Sequence, residues 1–119
     1  DYTLFRPFNW LGPKLDSIFS AKEGSSRVVT QFIADILHKR EIILVDGGEQ
    51  RRSFTDIDDG IDALMRIIEN PEGKASGQIF NLGNPRNDVS IKELAELLIK
   101  LVRRYPHYQK IADDVKVTH

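Results

Sequence analysis

Tyr2-Thr3-Leu4-Phe5, running directly into Arg6-Pro7-Phe8-Asn9-Trp10-Leu11-Gly12-Pro13, decides the fold. A short apolar strand, Tyr2 to Phe5, feeds a proline-bracketed loop that carries one Asn and one Gly. Loops at the ends of buried strands are where α/β folds place ligands. The strand begins at the second residue, so a neighbour on that side of a parallel sheet would have to precede it. The chain is therefore expected to be the back half of a larger α/β fold.

Working outward, Val28, Val29, Phe32, Ile33, Ile36 and Leu37 recur at spacings of three and four and predict a helix from Ser26, with Ser25 or Ser26 as its cap. The β-branched run Ile42-Ile43-Leu44-Val45, closed by Asp46-Gly47-Gly48, reads as a strand and turn. Arg52-Ser53-Phe54 is a second short strand. Thr55 or Asp56 opens a helix whose buried stripe is expected at Ile57, Ile61, Leu64 and Ile68, and Asn70-Pro71-Glu72-Gly73 stops it. Gln78 to Leu82 alternates polar and apolar residues as a strand does, and Gly83-Asn84-Pro85 breaks it. Ser90 and Glu93 form a capping box ahead of Ile91, Leu94, Ala95, Leu98, Leu101 and Val102, and Tyr105-Pro106 ends that helix. Beyond His107 only Val115 to Val117 suggests a strand. The order is a mixed α/β pattern with short connections.

Composition narrows the functional classes. The 17 Lys plus Arg nearly balance 18 Asp plus Glu, leaving a net charge of -1. Such a surface gives little long-range steering toward nucleic acid or an anionic membrane, so any anion site must be a local arrangement of arginines. The basic pairs Lys39-Arg40, Arg51-Arg52 and Arg103-Arg104 lack interleaved aromatics, and no nucleic-acid partner is expected. With no cysteine there is neither disulfide nor thiol chemistry. No apolar run approaches the ~20 residues that span a bilayer, and no signal-peptide pattern opens the chain, so the expected location is cytoplasmic with no membrane partner.

The chemistry-bearing residues are few. His38, His107 and His119 carry no motif around them and read as surface histidines. Asp56, Asp58, Asp59 and Asp62 could gather a hard cation, but acids in a first helical turn are explained by the dipole. Neither G-x-G-x-x-G nor G-x-x-x-x-G-K-S is present. Arg27 follows Gly24-Ser25-Ser26 at a helix start, where backbone N–H groups and a guanidinium together suit an anionic oxygen. Of Arg51 and Arg52, one is expected to point inward and the other to solvent. Each arginine alone reads as a surface cation; together with Asn9 they could converge on a phosphate-bearing ligand.

Four stretches together resemble a known family: Arg6 to Pro13, then Gly24-Ser25-Ser26-Arg27, then Asp46-Gly47-Gly48-Glu49-Gln50-Arg51-Arg52-Ser53-Phe54-Thr55-Asp56, then Phe80-Asn81-Leu82-Gly83. They look like the C-terminal part of the extended short-chain dehydrogenases/reductases, the NAD-dependent sugar-nucleotide epimerases, dehydratases and decarboxylases. The likeness covers roughly Thr3 to Leu101. It is strongest to the UDP-glucuronic acid decarboxylase domains of bifunctional polymyxin-resistance proteins, which act in lipid A modification. The resemblance implies a single α/β fragment over residues 1–119: the last elements of an extended Rossmann-type fold with its small substrate-binding subdomain.

By the same resemblance Asn9, Arg27 and Arg52 contact a UDP-sugar, while Pro7 and Phe8 lie beside the nicotinamide edge of NAD. One position departs, since those decarboxylases carry Lys where this chain has Ile43. The family's Gly-rich NAD loop, its Ser or Thr and its Tyr-x-x-x-Lys pair are expected before residue 1. The residues four after Tyr2, Tyr105 and Tyr108 are Arg6, Gln109 and Ala112. No catalytic residue is therefore assigned, and the chain alone is expected to be inactive and to form homo-oligomers. A fragment of an epimerase or dehydratase, or a non-catalytic α/β binding module, are the alternative expectations.

Overall fold

The computed structural model describes residues 2–15, 17 and 27–119. In chain order these form β1 (Leu4–Pro7), β2 (Trp10–Leu11), α1 (Val28–Leu37), β3 (Ile42–Ile43), β4 (Arg51–Ser53), β5 (Thr55–Asp56), α2 (Ile57–Glu69), β6 (Ile79–Leu82), β7 (Asp88–Ser90), α3 (Ile91–Val102), α4 (Gln109–Asp113) and β8 (Val117–Thr118). Two compact units result. One comprises residues 1–15 and 52–88, the other residues 16–51 and 89–119.

In the first unit β1 and β6 run parallel, in register from Leu4 opposite Ile79 to Pro7 opposite Leu82. The register is set before the ladder begins, because the Gly77 N–H donates to the Tyr2 carbonyl and the Leu4 N–H to that of Gln78. The strand thus lies two residues later than the apolar run suggests, ending at Pro7. β2 and β5 form a second parallel pair, Trp10 opposite Thr55 and Leu11 opposite Asp56. Asp56 caps α2, its carboxylate accepting from the Asp58 N–H at 2.8 Å, and Asp62 pairs with Arg66 one turn on. The acidic cluster therefore serves the helix start. Asn70 ends the helix in a left-handed conformation, and its side chain accepts from the Ala75 N–H at 2.7 Å.

The buried stripe of α2 departs from expectation. Ile61 is 49% and Ile68 73% exposed, and Gly60 is the helix's buried residue. The helix turns its small residue inward because Trp10 lies there: a Cβ on Gly60 would come within 2.7 Å of the indole ring. The inward line of the helix runs through Gly60, Leu64 and Ile67, the last two half-buried, so Ile61 and Ile68 face outward.

The second unit holds the denser core. Ala34 and Ile36 of α1, Ile42 and Leu44 around β3, Ile91, Leu94, Ala95 and Ile99 of α3, and Ala112 of α4 are all buried. β3 pairs in parallel with β8, Ile42 opposite Val117 and Ile43 opposite Thr118. The ladder ends there, with a last bond from the Leu44 N–H to the Thr118 carbonyl. The expected four-residue strand is thus two residues long, followed by a tight 3-10 turn at Val45–Gly48 in which Asp46, Gly47 and Gly48 have left-handed φ. The capping box of α3 is complete in both directions, Ser90 to the Glu93 N–H and Glu93 to the Ser90 N–H. Ile91, Leu94 and Ala95 of the predicted face are buried and Leu98 and Val102 half-buried, while Ile99 joins the core and Leu101 is exposed. α4 has five residues, too short to leave a periodic signal. The capping serines expected for α1 lie outside the described residues; Arg27 is its N-cap position, without a side-chain cap.

Candidate nucleotide-sugar site

The carboxyl ends of two parallel strands meet in the first unit, and the loops leaving them define the site. β1 continues into Phe8 and Asn9, β6 into Gly83, Asn84 and Pro85. Ligands of open α/β sheets bind at this end of the strands. The Phe8 N–H extends the ladder by donating to the Leu82 carbonyl at 3.0 Å. Its ring then lies over Gly83, where an added Cβ would approach Phe8 to 3.0 Å. Any side chain at position 83 would push that ring away.

Asn9 has a φ of 44°. Asn tolerates this left-handed conformation better than most residues, which is one reason it occupies the corner. The bend lets Asn9 brace two further strands: its carbonyl accepts from the Thr55 N–H at 3.2 Å, and its Nδ2 donates to the Ser53 carbonyl at 3.0 Å. One of the carboxamide hydrogens is thus engaged within the chain, leaving the oxygen and a second N–H. Thr55 is buried, and its Oγ1 accepts from the Asn84 N–H at 3.0 Å, tying the β6 loop to the same corner. Trp10 closes the floor, its Nε1 donating to the Leu82 carbonyl at 3.1 Å.

Two cavities open on this corner. One, of about 280 Å³, is lined by Phe8, Ser53, Asn81, Gly83 and Pro85. The other, of about 240 Å³, runs along the start of α2 past Thr55, Asp59 and Gly60 and shares Asn81, Gly83 and Pro85 with the first. Asn81 and the Gly83-Asn84-Pro85 turn were absent from the sequence-derived site. The signal for them was available, since the rule that singled out the loop after β1 applies equally to the loop after its parallel partner.

Among the sequence-derived residues, Pro7, Phe8, Asn9 and Arg52 belong to this unit. Pro7 ends β1, and Phe8 lines the larger of the two cavities. Arg52 sits on β4 next to Ser53, the residue whose carbonyl holds Asn9. Arg27 belongs to the other unit and is exposed at the N-cap of α1. The expectation that one of Arg51 and Arg52 points inward is not met, since both are exposed; Arg51 reaches Glu93 at 3.4 Å. Ile43, where the resembling decarboxylases have Lys, is 59% exposed on β3. His38, His107 and His119 are all exposed. Among the described residues no His, Cys, Asp and Glu side chains gather as a cation site, and no helix is long and apolar enough to cross a membrane.

Comparison with known proteins bears on this corner. Residues 1–83 match the sequence model of the NAD dependent epimerase/dehydratase family. The PbgP3 protein of Burkholderia pseudomallei is 56% identical over 98% of this chain, with a TM-score of 0.86, and the match covers 35% of that chain. Pal from Bacillus thuringiensis is 28% identical over 98% of this chain and 31% of its own, with a TM-score of 0.69. The UDP-glucose 4-epimerase of Thermotoga maritima, solved with UDP-glucose, is 25% identical over 99% of this chain and 32% of its own, with a TM-score of 0.67. The chain thus spans about a third of the length of these solved proteins, as part of a Rossmann-type epimerase/dehydratase fold.

Proposed function

The chain belongs to the NAD dependent epimerase/dehydratase family, and on that premise we propose that it supplies the nucleotide-sugar-binding portion of an NAD-dependent UDP-glucuronic acid decarboxylase. The observation that carries this reading is the corner at Asn9, where one left-handed residue joins the end of β1 to Ser53 and Thr55 beside two cavities. A carboxamide held by the chain at one hydrogen still offers its oxygen and a second N–H to a ligand. Asn9 would orient the sugar nucleotide, and Arg27 and Arg52 would take diphosphate oxygens, for which the guanidinium fork is suited. The motif resemblance favours the decarboxylase branch. In this scheme the residues contribute positioning and the exclusion of misaligned substrate rather than bond-making.

The Phe8 ring lines the larger of the two cavities, an apolar surface that would suit the edge of a nicotinamide, with Pro7 preceding it at the end of β1. NAD, when bound, supplies the oxidising capacity of the family. The overall change in the whole enzyme would convert UDP-glucuronate and NAD+ to a UDP-4-keto-pentose, carbon dioxide and NADH. A nucleotide-sugar epimerase is the second reading, favoured by the likeness to the Thermotoga enzyme solved with UDP-glucose.

Incubating the whole enzyme containing this chain with UDP-glucuronate and NAD separates the readings. Release of carbon dioxide with a UDP-pentose product supports decarboxylation. A C4-epimerised UDP-sugar with its carboxylate intact would replace this proposal with the second reading. The 119-residue chain by itself should give no NADH from UDP-glucuronate and NAD, and measurable turnover by it would contradict the assignment of its residues to binding.

A further inference from the structure

Arg6 and Asn81 face each other across the parallel ladder of β1 and β6. Paired residues of adjacent strands project to the same face, with their backbones ~4.8 Å apart, so a guanidinium and a carboxamide stand side by side. Both residues are exposed, and among the described residues neither side chain has a hydrogen-bond or ion-pair partner. Two residues earlier the same face carries Leu4 opposite Ile79, an apolar pair also left exposed. The polar pair therefore occupies the carboxyl end of the ladder, and Asn81 lines both cavities at the Asn9 corner.

We propose that Arg6 and Asn81 form an oxyanion-binding pair, with Arg6 giving a forked two-hydrogen contact and Asn81 adding an N–H to a carboxylate or phosphate oxygen of the bound ligand. The chemistry of the pair supports this reading. A guanidinium fork matches two oxygens of one anionic group, and a neighbouring carboxamide supplies a third donor without adding charge. Position favours it too, since Asn81 lines both cavities and Arg6 is its register partner on the ladder. The inference rests on the nucleotide-sugar reading of the Asn9 corner and adds to it a second polar anchor, distinct from Arg27 and Arg52. Two sources of oxyanion are available in such a substrate, the diphosphate and the uronic acid, and the choice of ligand separates them.

The test is titration of the 119-residue chain, followed by NMR at the Arg6 Nε and Asn81 Nδ2 resonances and by calorimetry, with UDP, UDP-glucose and UDP-glucuronate. Arg6→Gln and Asn81→Ala change exposed side chains, and an unaltered amide spectrum for each confirms that the fold is kept. Arg6→Gln should weaken UDP-glucuronate binding roughly tenfold or more, the usual scale for a hydrogen bond to a charged group. An equal loss for all three ligands assigns the pair to the diphosphate, and a loss confined to UDP-glucuronate assigns it to the uronic acid. Unchanged affinity in Arg6→Gln, alongside a loss in Arg52→Ala, would overturn the pair and leave the nucleotide site standing. A loss in Arg6→Gln without any in Arg52→Ala would keep the pair and remove Arg52 from the site. No binding of any ligand by the wild-type chain overturns both.

Discussion

Gly60→Ala should destabilise the chain although it replaces a poor helix former by the best one. In an exposed helix interior the exchange would stabilise by about 0.8–1.0 kcal/mol. Here the new methyl would lie 2.7 Å from Cδ2 and Cε2 of Trp10, closer than carbon atoms approach without displacement. The indole is no flexible end that can swing aside, because its Nε1 is tied to the Leu82 carbonyl at 3.1 Å. Overpacking of this kind costs about 1–3 kcal/mol, and losing the indole bond adds about 0.5–1.5 kcal/mol. The clash outweighs the propensity gain, and the net loss is about 2 kcal/mol, or a fall in Tm on the order of 10 °C for a unit this small. Urea denaturation followed by circular dichroism and by the fluorescence of Trp10, the sole tryptophan, measures it. In a Trp10→Ala background the same exchange should become stabilising, because nothing remains to be struck. A Gly60→Ala chain more stable than wild type, with unchanged fluorescence, would refute the packing argument.

Ser90→Ala removes one half of the α3 capping box at a buried position and should cost about 1 kcal/mol in urea denaturation, with no change in nucleotide binding. Ile43→Lys should alter stability by less than about 0.5 kcal/mol in urea denaturation, as exposed substitutions do, and a loss above about 2 kcal/mol would contradict its exposure. Ile68→Lys on the outward face of α2 should likewise leave the urea midpoint nearly unchanged, whereas a loss above about 2 kcal/mol would mean the residue is buried after all. Self-association is expected through the strand edges of the two-stranded β1 and β6 ladder, and a monomer at high concentration in light scattering would contradict it.

The elements with strong local chemistry were legible from the sequence. The capping box of α3 depends on residues three apart, Asp56 caps α2 through its next neighbours, and Asn70 ends that helix within a few residues. Each is a contest settled locally. The errors fall where a distant partner decides. β1 shifts because β6 dictates its register, β3 shortens because β8 offers two residues, and α2 rotates its apolar face because Trp10 claims the space beside Gly60. The site shows the same division. The Asn9 loop is visible as a strand-end break, but its bond to Ser53 spans 44 residues, and the share of the corner taken by Asn81 and Gly83 depends on pairing with β6, 75 residues on in register.

Whether the Asn9 corner holds a nucleotide-sugar is read out by calorimetric titration of UDP-glucuronate into the wild-type chain and into Asn9→Gly. Glycine keeps the left-handed backbone that Asn9 adopts while deleting its carboxamide and with it the bond to the Ser53 carbonyl, so an amide spectrum unchanged around Ser53 and Thr55 is the control that assigns a loss of binding to the ligand contact. Saturable binding by the wild type is expected, weakened roughly tenfold in Asn9→Gly. Equal affinity for the two chains would contradict it.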